Sequence, residues 1–216
     1  MKRLLESLFK KSIMDYLKKY LGEQTEIESR IWGKLKIEVA SFTPATDGDL
    51  IVTIGEPYKE ECPLIRIHSE CVFAQAFDSN LCDCADQLRL AMDKLVAEGN
   101  SILVYLRFDG RGAGLAAKVK ATALEVKGVD TYESRVAIGV EPEGRDFSAI
   151  GEYLVKKGIK KVRLLTNNPT KSQGLEKIGI IVYNEPLLVS SPSNNVRKLY
   201  ETKANKFHHN IPNNLT

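Results

Sequence analysis

Ile102-Leu-Val-Tyr-Leu106, continued by Arg107-Phe-Asp109-Gly110-Arg111-Gly-Ala-Gly114 and the helical-looking residues 115–127, is the stretch from which the fold can be read. Five consecutive apolar residues suit a strand covered on both faces. The glycines allow a tight loop, and Gly128 is a stop signal for the helix that follows. Working upstream, residues 86–98 have helical spacing (Leu88, Leu90, Ala91, Leu95) and end at Gly99. Pro63-Leu-Ile-Arg-Ile-His68, Leu50-Ile-Val-Thr-Ile54 and the alternating Leu35, Ile37 and Val39 read as strands. Downstream come a helix over 148–157, a strand over 162–165, the loop Thr166-Asn-Asn-Pro169, a helix toward Lys177 and a strand Ile180-Ile-Val-Tyr183. Strands precede helices early and alternate with them later. The expected class is therefore α+β (mixed α/β), a single domain with a mixed sheet flanked by helices.

The domain is expected over residues 23–189. Residues 1–22 read as a basic amphipathic helix, with Leu4, Leu5, Leu8, Phe9, Ile13, Leu17 and Leu21 at helical spacing. Its apolar stripe suits packing on its own domain or on a partner subunit better than a membrane surface. Residues 190–216 form a polar tail, expected to be the most mobile part.

Composition narrows the class of protein. The 216 residues are 43% hydrophobic and 27% charged, as in ordinary globular chains. A net charge of +3 suits a phosphorylated ligand and is too small to argue for nucleic acid. No apolar run approaches membrane-spanning length, and the N-terminus does not read as a signal peptide, so a cytoplasmic location and no membrane association are expected. In a reducing compartment, clustered cysteines are more often metal ligands than disulfides.

Such a cluster exists: Cys71, Cys82 and Cys84, in Arg66-Ile67-His68-Ser69-Glu70-Cys71 and Leu81-Cys-Asp-Cys84. Three thiolates suit zinc, and three protein ligands leave a tetrahedral position for water, as in catalytic sites. Buried or redox-active thiols are the competing reading. His68 is a candidate fourth ligand, which would close the site. Cys62 lies apart and reads as a bystander.

Three further motifs are weak singly. The glycine loop after a strand offers backbone N–H groups and Arg107 and Arg111 to phosphate, or is simply a turn. Glu143-Gly-Arg145 places a carboxylate two residues before an arginine, which alone reads as a surface ion pair. Thr166-Asn-Asn-Pro-Thr-Lys171 reads equally as a phosphate or base-edge site and as a capped helix start.

Taken in order, however, these motifs resemble GTP cyclohydrolase II: Arg-Ile-His-Ser-Glu-Cys, Cys-Asp-Cys, Asp-Gly-Arg-Gly-x-Gly-Leu, Gly-x-Asp-Thr-x-Glu, Arg-Asp-Phe and Arg-Leu-Leu-Thr-Asn-Asn-Pro-x-Lys. The resemblance covers roughly residues 35–210 and includes Thr202-Lys-Ala-Asn-Lys206, similar to a C-terminal segment of that family. It implies one Zn²⁺ per subunit on Cys71, Cys82 and Cys84, and Mg²⁺ with the triphosphate. It implies attack of activated water on C8 of GTP, with release of formate and pyrophosphate and formation of a diaminopyrimidinone ribotide, in riboflavin synthesis. It places nucleotide contacts at Arg66, Ile67, His68, Ser69, Glu70, Gln87, Asp109, Gly110, Arg111, Thr131, Thr166 and Lys171. Catalytic roles fall on Glu143 as general base and Arg145 at the α-phosphate. A homodimer is also implied.

Several positions depart from the family pattern. Glu143 stands where the family has aspartate, Asp109 where it has glutamate, and Thr122 where it has tyrosine. Ala74-Gln75, Leu81 and Ala85 replace Gly-Asp, arginine and glycine around the cysteines. Such shifts of an acid–base group cost rate. The sequence therefore supports three outcomes: the full reaction, ring opening that stops at a formylated pyrimidine nucleotide, or a silent zinc-stabilised nucleotide-binding protein. A related purine nucleotide is the alternative substrate.

Overall fold

The strand read from Ile102 to Leu106 lies at the middle of a seven-stranded sheet. The structure is a computed structural model and describes residues 15–44, 48–189 and 192–215. In chain order the strands are β1 (Gln24–Ser29), β2 (Gly33–Ala40), β3 (Asp49–Ile54), β4 (Leu64–Ser69), β5 (Ser101–Leu106), β6 (Lys161–Leu165) and β7 (Ile181–Glu185). They are arranged β1-β2-β3-β5-β4-β6-β7. The first four in that arrangement pair antiparallel, and β5, β4, β6 and β7 pair parallel. The sheet is mixed, as expected.

Helices cover both faces. On one face Ile51, Ile65, Ile67, Ile102, Val104 and Leu164 pack under α5 (Ser148–Lys156) and α6 (Pro169–Glu176). On the other, Val52, Leu64, Leu103 and Leu165 pack under α2 (Cys84–Glu98), through Ala91, Met92 and Leu95. The period of two along β4 explains what this arrangement does for function. Ile65 and Ile67 enter the first core, while Arg66 and His68 point to the opposite face, where α2 supplies a polar partner in Gln87.

Short elements fill the connections: α1 (Val72–Phe77), α3 (Gly114–Glu125) and α4 (Glu133–Ala137). α7 (Asn194–Phe207) is capped by the Ser193 side chain accepting from the Val196 N–H. Thus the polar tail, expected to be mobile, carries a 14-residue helix whose Val196 and Tyr200 are buried. The N-terminal helix expected over 1–22 falls mostly outside the described residues; residues 15–18 are helical and Leu17 is buried. Strand β1 has no counterpart in the sequence reading.

The parallel strands end on one side of the sheet. Loops leaving β4, β5 and β6 there carry Cys71, the glycine loop and Thr166, and they diverge because β4 has β5 on one side and β6 on the other. Such a divergence opens a crevice at the carboxyl ends of the strands. The glycine loop is tied to a remote segment by the Gly144 N–H, which donates to the Arg111 carbonyl at 3.1 Å. Gly110, Arg111 and Gly112 all have positive φ (68°, 58° and 91°).

A Cβ at Gly112 would meet the Gly144 backbone at 3.0 Å. Gly112→Ala therefore combines a disfavoured backbone conformation with a contact that must shift, costing about 2 kcal/mol. Its melting temperature is expected to fall by about 4–8 °C in a thermal unfolding scan.

Candidate active site

Cys71 lies two residues beyond β4, just before α1, Cys82 lies in the turn before α2, and Cys84 is the first residue of that helix. Their sulfurs all lie within 4.8 Å of one another, with Cys71 and Cys82 at 3.6 Å. That spacing is far beyond a disulfide bond. It is close to the separation of about 3.8 Å between two sulfurs that each sit ~2.3 Å from a tetrahedral zinc. The thiols also disturb each other. Cys71 is driven far down by hydrogen bonds from Cys82 and Cys84 and by Lys118, while Cys82 is pushed up to about 11, first by Cys71, and Cys84 is held well above its usual range by Cys71 and Cys82. Three thiolates so close repel strongly unless a cation lies among them. The donor set therefore fits a divalent ion of zinc's softness.

His68 does not join this cluster. Its ring is buried, stacks on Tyr105 at 5.8 Å between centroids, and has its Nε2 3.4 Å from Gln75 Nε2. Gln75 Oε1 accepts from both the Cys71 N–H (2.8 Å) and the Tyr105 hydroxyl (3.0 Å). The Gln75 side chain thus fixes the loop that carries the first cysteine.

The cysteines open on a cavity of about 180 Å³. Of the expected nucleotide contacts, Arg66, His68 and Ser69 line it from β4, Glu70 from the residue after that strand and Gln87 from α2. Asp109, Gly110, Arg111 and Thr166 line it from the diverging loops, Thr131 from the turn before α4 and Lys171 from α6. Ile67 does not: its side chain is wholly in the core, and it contributes a carbonyl that accepts from Lys171 Nζ at 2.8 Å. Arg107 and Glu143 are also absent from the wall among the described residues.

Cations crowd this space. Arg66 donates to the Leu165 carbonyl and to Gln87 Oε1. Burial, then Arg145, pushes both Arg66 and Arg111 down to about 10. Burial followed by Arg66 and Arg145 holds Lys171 well below its usual range. Cations packed until they disfavour one another's charge are what a polyanionic ligand would relieve.

Asp109 is placed at the cavity but its oxygens are committed. They accept from the Val72 N–H (3.0 Å), the Gly110 N–H (2.6 Å) and Lys118 Nζ (2.7 and 2.8 Å). Lys118 also donates to Cys71 Sγ at 3.0 Å. Burial opposes its charge, but Asp109 and Cys71 outweigh burial and hold the ammonium above its usual range. Glu143 likewise is committed: Arg145 Nε donates to it at 2.6 Å, Arg145 Nη2 lies closer still, and Arg111 Nη1 is at 3.6 Å. Arg145 Nη1 reaches Ser69 Oγ at 3.0 Å. Burial opposes ionisation of Glu143, yet the two arginines keep its carboxyl below the usual range.

Sequence reasoning missed Lys118, Asp83, Arg135, Lys203 and His209 as parts of this region. Asp83, between two of the cysteines, was the most accessible of these from its position.

The family model described as GTP cyclohydrolase II matches residues 21–186. The chain belongs to the GTP cyclohydrolase II family. It is 46% identical over 162 residues to the GTP cyclohydrolase-2 of Neisseria meningitidis, covering 73% of this chain and 80% of that protein. It is 42% identical over 185 residues to that of Haemophilus influenzae, covering 85% of each. With the riboflavin biosynthesis protein RibBA of Bacillus subtilis it shares 39% identity over 176 residues, 80% of this chain but only 44% of that longer protein. Among solved structures, RibBX, a two-domain 3,4-dihydroxy-2-butanone 4-phosphate synthase from A. baumannii, aligns at 15% identity and a TM-score of 0.36, too little to carry an argument.

Lys118 links the glycine loop to the first cysteine, donating to both Asp109 and Cys71. The Asp109 and Lys118 side chains are nearly buried, at 9% and 10% exposure. Lys118→Met strands the Asp109 carboxylate, which costs about 3–5 kcal/mol. The variant is expected to unfold at clearly lower denaturant concentration and to retain less zinc by elemental analysis, with Lys118→Arg intermediate.

Proposed function

We propose that this hydrolase of the GTP cyclohydrolase II family opens the imidazole ring of GTP at C8 with zinc held by Cys71, Cys82 and Cys84. The observation that carries the reading is the three-sulfur cluster opening on a small cavity walled by buried cations, in a chain of this family. Zinc bound there supplies Lewis acidity, which brings the pKa of water toward neutrality. The residues of the chain supply binding and orientation. Gln87, held against Arg66 and Asp83, presents an amide suited to the guanine edge. Arg66, Arg111 and Lys171 suit the triphosphate, whose Mg²⁺ offsets part of its charge.

Arg145 acts in this reading as a clamp on phosphate. A guanidinium is protonated at any ordinary pH, and two of its nitrogens are oriented by Glu143. It shares that carboxylate with Arg111, so the trio keeps one net positive charge facing the ligand. Opening at C8 and a second hydrolysis releasing formate give the diaminopyrimidinone ribotide, and pyrophosphate leaves from the triphosphate. A homodimer and cytoplasmic location remain part of the proposal; no helix among the described residues is long and apolar enough to cross a membrane.

A second reading is favoured by two features of the site. Glu143 is a carboxylate of lowered basicity already paired with Arg145, and Thr122, which lines the cavity, lacks a phenol. A general base so engaged drives proton transfer poorly. On this reading the reaction stops at the formylated pyrimidine nucleotide.

Incubating the zinc-loaded protein with GTP and Mg²⁺ and determining the product mass separates the outcomes. One formate and one pyrophosphate per GTP supports the full reaction. A product keeping the formyl carbon supports the second reading. Undiminished purine absorbance contradicts both and leaves a nucleotide-binding protein.

A further inference from the structure

The C-terminal helix bears directly on the cavity. Asp83, 1% exposed, anchors it: the Tyr200 hydroxyl donates to Oδ2 at 2.5 Å and Lys203 Nζ to Oδ1 at 3.3 Å. The Arg111 guanidinium lies 4.1 Å from the centre of the Phe207 ring, and the Asn210 N–H donates to the Asn167 carbonyl at 2.9 Å. His208, at φ 56°, ends the helix in a left-handed turn, and His209 follows it into the cavity wall beside Leu199 and Lys203.

Two of these groups have hydrogen-bonding capacity left over. Lys203 has three donors and one long bond to Asp83, and its side chain is 12% exposed. Asp83 would stay satisfied without it, because Gln87 Nε2 donates to it at 2.6 Å beside Tyr200. The Nε2 of His209 is buried with no partner among the described residues. Burial, then Lys203, Arg111, Lys171 and Arg145, pushes the His209 imidazole down to about 2, so it is neutral and faces cations only. Unpaired polar atoms and surplus positive charge on one wall call for an anion that accepts several hydrogen bonds.

We propose that α7 is the roof of the substrate cavity and that Lys203 and His209 bind phosphate oxygens of the nucleotide. This rests on the guanine-nucleotide reading of the cavity given above. Lys203 exchanges its long bond to Asp83 for a shorter charge-assisted bond to phosphate, and His209 donates its ring N–H to a neighbouring oxygen.

Calorimetric titration of the full-length, zinc-loaded protein with GTP and, separately, with inorganic tripolyphosphate tests this. Lys203→Met is expected to weaken both ligands by about tenfold or more, and Lys203→Arg to recover most of that loss. His209→Asn, which touches no bond to Asp83, is expected to weaken both by about threefold or more and keeps the test decisive if Lys203→Met misfolds. Unchanged affinity of Lys203→Met and His209→Asn for both ligands overturns the proposal. So does a Lys203→Met protein that loses zinc and thermal stability while its zinc-loaded fraction binds tripolyphosphate as the wild type does. A wild type that binds tripolyphosphate but not GTP contradicts the guanine reading alone, and the roof is then judged on tripolyphosphate. A wild type that binds neither overturns both.

Discussion

Three sulfur atoms held within 4.8 Å of one another are the constraint around which the rest of the site is organised. Such a cluster cannot carry three negative charges unaided, so its surroundings must fix the sulfurs while a cation neutralises them. The chain meets the first demand with side chains from five separate segments. Gln75 holds the Cys71 N–H, Lys118 donates to the Cys71 sulfur, and Asp109 ties Lys118 to Val72. Asp83, between the other two ligands, is gripped by Gln87 and Tyr200. Second contacts of this kind set ligand orientation around metals.

The same contacts join the metal cluster to the ligand cavity. Asp83 leads through Gln87 to Arg66, and Asp109 leads through the glycine loop and Gly144 to Glu143 and Arg145. Gln75 and Asp109 are therefore parts of a connected network, each accepting from more than one partner. Glu143 differs in kind. Its partners are the arginines themselves, so it strengthens their orientation at the expense of its own basicity.

Much of the sheet was legible because its central strands are buried on both faces and so are written as apolar runs, Ile102 to Leu106 above all. Strand β1 was not, since Gln24–Ser29 lies at an exposed edge and its sequence carries no apolar pattern. Helix α7 escaped for a related reason: its mean composition is polar, and what seats it is a hydrogen bond from Tyr200 to a carboxylate 117 residues away. The convergence of the cysteines was legible from residue chemistry alone. The place of Asp109 at the cavity could be anticipated, but the commitment of its oxygens to Lys118 and Val72 could not, because those contacts arise only from tertiary folding. Lys203 falls in the segment Thr202–Lys206 that resembles the family, but nothing in that segment says that it faces the cavity; Lys118 and His209 are ordinary residues in sequence, distinguished only by their position in space.

The account depends most directly on the coordination of the metal. X-ray absorption at the zinc edge of the loaded protein is predicted to show three sulfurs at about 2.3 Å and one light atom, without the outer-shell scattering of an imidazole. Four sulfurs, or a histidine signature that disappears in His68→Asn, would contradict an open three-thiolate site.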